Sequence, residues 1–201
     1  MTAIAAVALT LYVALGAAVS WRPPSAFDLA GQALLGHGLG LAFIAYHGGL
    51  FPTYAALCVL TIIAAIWLPR WRGRVAFAIA ALLLTWIASD RFKDFFHRPR
   101  PDHWLLVHER SASYSSGHAA LGLAFYGLWA LMIWRSGLPL GVRIAVSGLL
   151  FAWSLLIDWS RLAMGAHFPT DIVGGWLLAI TVVSALRAAT LVVEAKEPRL
   201  E

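Results

Sequence analysis

Apolar residues run through this chain in long unbroken blocks, at 3–20, 52–69, 75–89, 117–134, 140–159 and 169–193. A helix that crosses a bilayer needs about 20 such residues to span roughly 30 Å of hydrocarbon. The third block is short, but reaches that length if the helix continues through Asp90 toward Phe96 with its polar end at the interface. The pattern predicts an all-α protein, a polytopic membrane bundle of about six transmembrane helices. With no internal repeat or linker, residues 1–201 read as a single integral-membrane domain. Two stretches need separate treatment. Block 3–20 ends in Ala18 and Ser20, small residues at leader-cleavage spacing, but it lacks the basic region that precedes a cleaved leader. It is read as a retained helix. The segment 26–46 is apolar but interrupted by Asp28, Gln32, His37 and several glycines, and is expected to lie in the interface or re-enter as a lid rather than to span.

Composition agrees with lipid as the main solvent. Of the 201 residues 61% are hydrophobic and 12% charged, against about 45–50% and about 25% in soluble domains, and the mean hydropathy is +0.77. A disordered chain, a collagen-like repeat and a soluble nucleic-acid-binding domain are excluded; the net charge of +5 has to be placed relative to the membrane. Cys58 is the only cysteine, so no internal disulfide can form. Of the fifteen basic residues, eight (Arg70, Arg72, Arg74, Arg135, Arg143, Arg187, Lys196 and Arg199) fall on one side of a six-span bundle. That side is assigned to the cytoplasm. Arg22, Arg91, Lys93, Arg98, Arg100, Arg110 and Arg161 fall on the other, and so do all seven histidines: His37, His47, His97, His103, His108, His118 and His167.

Three polar clusters sit at helix ends on that outward face. The first, Lys93 to Pro101, closes the third span; the second, Tyr114 to His118, opens the fourth. The third runs from Ser160 and Arg161 at the end of the fifth to His167 and Asp171 at the start of the sixth. Parity brings all three to one side. Lys93, Arg100 and Arg161 supply cations suited to phosphate oxygens. Ser116 and the backbone of Gly117 and His118 open a helix, where anions are favoured. His167 and Asp171 are four apart, so the carboxylate can orient the ring and leave one nitrogen as a nucleophile. His118 is then the general acid, and the sum is phosphoryl transfer through a phosphohistidine. Each piece has a plainer alternative. Lysine and arginine snorkel to headgroups, Ser116 and Gly117 can simply cap a helix, and His167 with Asp171 can be an ordinary helical pair or two metal ligands. Asp158, three before Arg161, is expected to pair with it. Trp21, Trp71, Trp104, Trp134 and Trp159 are expected to anchor helix ends.

Together the clusters resemble the signature of the type 2 phosphatidic acid phosphatase superfamily of membrane lipid phosphatases: K-x6-R-P, then P-S-G-H, then S-R-x5-H-x3-D. Lys93, Arg100 and Pro101 match the first element; Ser160, Arg161, His167 and Asp171 match the third. In the second, Ser116, Gly117 and His118 match, while Ser115 stands where the family has proline. The resemblance covers residues 93–171. It implies His167 as nucleophile, Asp171 as its orienting partner and His118 as proton donor. Lys93, Arg100, Ser116, Gly117 and Arg161 would hold the phosphate, with no metal or other cofactor. Related vanadium haloperoxidases use a similar site, but they are soluble. The expected activity is an outward-facing lipid phosphatase of the cell membrane. Candidate substrates are phosphatidylglycerophosphate, phosphatidic acid, undecaprenyl diphosphate and a lipid A phosphate. A lipid phosphotransferase, or a transporter or binder of phosphate lipids, would use the same cations.

Overall fold

The computed structural model describes residues 1–102, 105 and 111–196, without the side chains of 194–196. His103, Trp104, His108, Arg110 and Arg199, named above as expected interfacial or outward and inward groups, lie outside the described residues, as does the Lys196 side chain.

The apolar blocks become helices. These are α1 (Thr2–Ser20), α4 (Phe51–Trp67), α5 (Arg72–Phe96), α6 (Gly117–Trp134), α7 (Leu140–Ala163) and α8 (Pro169–Lys196). Five of these are long and apolar enough to cross a membrane, and α4 is a shorter apolar helix of 17 residues. No strand occurs among the described residues. The third block extends as the sequence suggests, to Phe96. Segment 26–46 forms two short helices, α2 (Ala26–Gly31) and α3 (Leu39–Gly48), and the two arms bend by 109° at their break. That bend excludes a straight seventh span. It has a local cause: Gly36 and Gly38 adopt φ of +79° and +59°, values that side chains with a Cβ avoid.

The outward surface of the bundle is apolar, with Ile4, Val7, Leu60, Ile66 and Leu149 exposed, as expected where lipid replaces water. Small residues bring the helices close, the usual basis of packing in a bilayer. Ala78 and Ala81 of α5 meet Leu128 of α6. A Cβ at Gly175 of α8 would lie 2.7 Å from the Ser116 carbonyl oxygen, so α8 passes directly against the start of α6.

Helix ends position the polar clusters. Helix α5 stops at His97, which takes the left-handed conformation (φ 51°) and turns the chain back over the bundle. Helix α7 ends in a Schellman turn. Ala166 N–H bonds the Arg161 carbonyl and Gly165 N–H that of Leu162, both at 2.9 Å, with Gly165 at φ 68°. Pro169 then opens α8. The spacing from Arg161 to His167 is therefore the length of one helix stop plus one residue.

One expectation needs correction. Asp158 accepts a bond from Trp176 Nε1 on α8 at 2.8 Å rather than pairing with Arg161, because an i, i+3 partner on α7 competes with a donor facing it across the bundle. Trp159, half-buried, packs against Ala42 and Met164 and comes within reach of Gly38, so it also seats the α2–α3 hairpin. Trp21 and Trp134 do lie exposed at helix ends.

Candidate active site

The three clusters converge. The loop before α6 is stitched to both neighbours by its backbone: Ser113 N–H bonds the Arg98 carbonyl at 2.8 Å and Ser116 N–H the Asp171 carbonyl at 3.0 Å. His167, only 4% exposed, sits between them. Arg100 Nη1 donates to His167 Nε2 at 3.1 Å and to the Ala166 carbonyl at 2.9 Å. A guanidinium has no acceptor, so Nε2 carries the lone pair and the ring proton belongs on Nδ1. Nδ1 faces Asp171 Oδ2 at 3.5 Å and Ser113 Oγ at 3.4 Å. Burial first, then the charges of Arg100, Arg161 and Lys93, hold this imidazole well below its ordinary pKa. A neutral ring with an Nε2 lone pair is the state a nucleophile at phosphorus requires.

Asp171 is fully buried and its two oxygens are divided. Oδ1 takes Arg98 Nη1 at 2.5 Å. Oδ2 takes Ser113 Oγ at 2.5 Å and Phe168 N–H at 2.8 Å. The second bond is half of a capping box, in which an acidic residue in the first turn reaches back to the residue before the helix.

The expected phosphate ligands occupy the same region. Arg100 and Lys93 share Ser111, through Arg100 Nη2 at 3.1 Å and Lys93 Nζ at 3.4 Å to its Oγ. Arg161 is buried, and its guanidinium lies over the Tyr46 ring at 4.9 Å. Tyr46 also stacks on His118, at 5.2 Å with 18° between planes. The general-acid candidate and a phosphate-binding candidate are thus held by one aromatic ring from α3. A Cβ at Gly49 would lie 2.4 Å from His118 Cδ2, so glycine there makes room for the imidazole. Ser116 is the cap of α6, its Oγ accepting from Ala119 N–H at 3.4 Å. It is fully buried, whereas Gly117 and His118 border an open groove.

That groove, about 380 Å³, runs between α4 and α5. Its polar end holds Lys93, Gly117 and His118, and its apolar length is lined by Tyr54, Cys58, Leu82 and Trp86 among others. Among the described residues no group of three or more His, Cys, Asp or Glu is arranged to hold a metal ion.

Sequence reasoning did not single out Ser113, Arg98, Asp28, Thr170 or Tyr46. A signal existed for Asp28. Ser25 and Asp28 have capping-box spacing, and both reciprocal bonds are present. Arg98 differs from its neighbour Arg100 in burial and in its partners Asp28, Thr170 and Asp171, which no local pattern encodes.

The family model for the PAP2 superfamily matches residues 74–192, a stretch that contains every candidate residue named from the motifs. The chain belongs to the PAP2 superfamily. It is 31% identical over 109 residues to phosphatidylglycerophosphatase B of Bacillus subtilis, covering 49% of this chain and 52% of that one. To lipid A 1-phosphatase of Rhizobium etli it is 25% identical over 136 residues, covering 60% and 53%. The chain therefore spans about half the length of these two relatives. A crystal structure of a transmembrane PAP2-type phosphatidylglycerolphosphate phosphatase from Bacillus subtilis superposes with a TM-score of 0.76 at 22% identity, over 98% of this chain and 99% of that one. The membrane PAP2 fold is common to both.

Proposed function

We propose that this PAP2 protein is a metal-independent phosphatase of membrane lipid phosphates, working through a phosphohistidine on His167. The observation that carries the reading is the placement of the His167 ring, its Nε2 turned toward Arg100 and its Nδ1 toward Asp171. In the proposed first half-reaction, Nε2 attacks phosphorus and the bond from phosphorus to the lipid oxygen breaks. His118 gives its proton to the leaving oxygen, and the imidazolium Nδ1–H is stabilised by Asp171. In the second, water attacks phosphorus, His118 takes a proton from it, and the P–N bond breaks to release inorganic phosphate. Lys93, Arg100, Arg161, Ser116 and the Gly117 backbone would hold the phosphate oxygens, the cations neutralising charge that a metal would otherwise balance.

The groove beside His118 supports a lipid substrate. Its apolar walls between α4 and α5 suit a hydrocarbon chain, while the phosphate meets the cations at its polar end. Phosphatidylglycerophosphate and a lipid A phosphate, the substrates named by the two relatives above, head the candidates, with phosphatidic acid and undecaprenyl diphosphate beside them. The basic residues at the opposite helix ends support a site on the outward face of the cell membrane. Purified protein offered this panel in chelator should release inorganic phosphate from at least one lipid. Binding or transfer to another lipid without phosphate release would overturn the hydrolase reading.

A further inference from the structure

Asp28 lies in none of the three motifs and outside the segment matched by the family model, yet it is fully buried and bonded into the His167 site. Arg98 connects it. Arg98 Nη2 donates to Asp28 Oδ2 at 2.9 Å, and Nη1 donates to Asp171 Oδ1 at 2.5 Å. Thr170 closes the ring: its hydroxyl accepts from Arg98 Nη1 at 2.7 Å and donates to Asp28 Oδ1 at 2.6 Å, while its N–H reaches the same oxygen at 3.1 Å. Arg98 also lies over the Phe168 ring at 4.5 Å. Phe168, Thr170 and Asp171 are thereby all contacted by one side chain from outside their own helix.

A guanidinium prefers to meet a carboxylate with two parallel N–H bonds. Were Arg98 facing Asp171 alone, it would take both of that residue's oxygens. Asp28 occupies the second arm of the fork. Arg98 is then held to Oδ1 of Asp171, which reserves Oδ2 for Ser113, the Phe168 N–H and the Nδ1 side of His167. Asp28 itself is held by the capping box with Ser25 at the start of α2, so the hairpin arm that carries it is part of the support.

We propose that Asp28 is a positioning residue for His167: by holding the second arm of Arg98 it keeps Asp171 Oδ2 directed at the nucleophilic ring. The inference rests on the reading of His167 as the nucleophile. It makes Asp28 act on the chemical step and not on binding, since it touches none of the groups placed around the phosphate.

The test is Asp28→Asn, which preserves shape and weakens the hold on Arg98, assayed with a lipid phosphate that the wild type hydrolyses. Folded variant, judged by its melting temperature and elution in detergent, should lose kcat roughly tenfold, a size a slightly misplaced catalytic group can produce, with KM nearly unchanged. In an Asp171→Asn background the same substitution should cost little more, because the residue it works through is already gone. An equal loss in both backgrounds would make Asp28 a structural residue and overturn the proposal, as would unchanged kcat in folded Asp28→Asn protein. Should Asp28→Asn not fold, Thr170→Val removes the hydroxyl shared by Asp28 and Arg98 and should show a smaller kcat loss at constant KM; unchanged kcat there would contradict the proposal. His167→Asn, run alongside, separates the two readings. If it keeps turnover the phosphohistidine reading fails; if it is inactive while Asp28→Asn is fully active, only the role of Asp28 fails.

Discussion

His167 and His118 are both imidazoles, but their surroundings give them different work. His167 is clamped between Arg100 and Asp171, whereas His118 lies against Tyr46 at the mouth of the groove, its Nε2 without a hydrogen-bond partner among the described residues. A nucleophile is needed for every substrate, so His167→Ala should abolish turnover of all of them. A general acid matters in proportion to the basicity of the leaving oxygen. Loss of His118 should cost about 10²–10⁴-fold on a lipid monophosphate, but far less in single-turnover release of nitrophenolate from nitrophenyl phosphate, whose leaving group needs little help. The reverse pattern would exchange the two roles. A second expectation concerns pH. The reactive form of His167 is the neutral one, and burial with nearby cations depresses its pKa. The neutral form therefore persists as pH falls, and the acid limb of kcat/KM should lie below pH 6.5, the ordinary histidine value. Lys93→Met removes one of those cations, so it should move the limb upward. A limb that stayed in place would mean that Lys93 does not act on this ring. At this scale the sequence was informative where chemistry is local. Lys93, Arg100, Arg161, His118, His167 and Asp171 stand out because snorkelling accounts for a single cation at a helix end but not for cations, imidazoles and a carboxylate gathered at several helix ends on one face. The roles of Arg98, Asp28 and Ser113 in the site were not legible, because they rest on contacts across 58 or more positions of chain.

Helix boundaries carry the site from residue to element. The Schellman stop after α7 puts Arg161 in the last turn and His167 just past it, and it depends on Gly165 at φ 68°. A side chain in that conformation costs about 1–2 kcal/mol, so Gly165→Ala should lower the melting temperature in detergent and reduce turnover together. Unchanged values for both would show that the turn tolerates a Cβ and does not set the spacing. The apolar blocks announced the helices because hydrocarbon demands length and uniformity; the extension of α5 to Phe96 was readable for the same reason. The course of segment 26–48 was less so. Its two glycines with positive φ mark the break, but the seat of α3 on the bundle, where Trp159 and Trp153 approach Gly38 and Gly48, is made by contacts from a distant helix.

Across the whole molecule the two ends of the bundle differ in kind. One end gathers the three motifs, while the opposite helix ends hold Arg70, Arg72 and Arg74, with Arg135 and Arg143. On a Cys58→Ala background, a cysteine at exposed Arg22 should react with an impermeant reagent from outside the cell, and one at Gly73, where a Cβ has open space, should not. The opposite labelling would put the site in the cytoplasm. Fold class was legible at this scale from the length and number of the apolar blocks, but the groove between α4 and α5 was not, because a gap between two helices leaves no mark on either sequence.

Trapping of a covalent phosphoenzyme tests the central claim most directly. Protein mixed with a lipid monophosphate radiolabelled in its phosphate and quenched within a turnover should carry label that is stable to base, labile to acid and confined to the peptide containing His167. His167→Asn should carry none. Label on another residue, or burst-free hydrolysis with no trapped label in a variant lacking His118, where the second half-reaction is slowed, would contradict the phosphohistidine account.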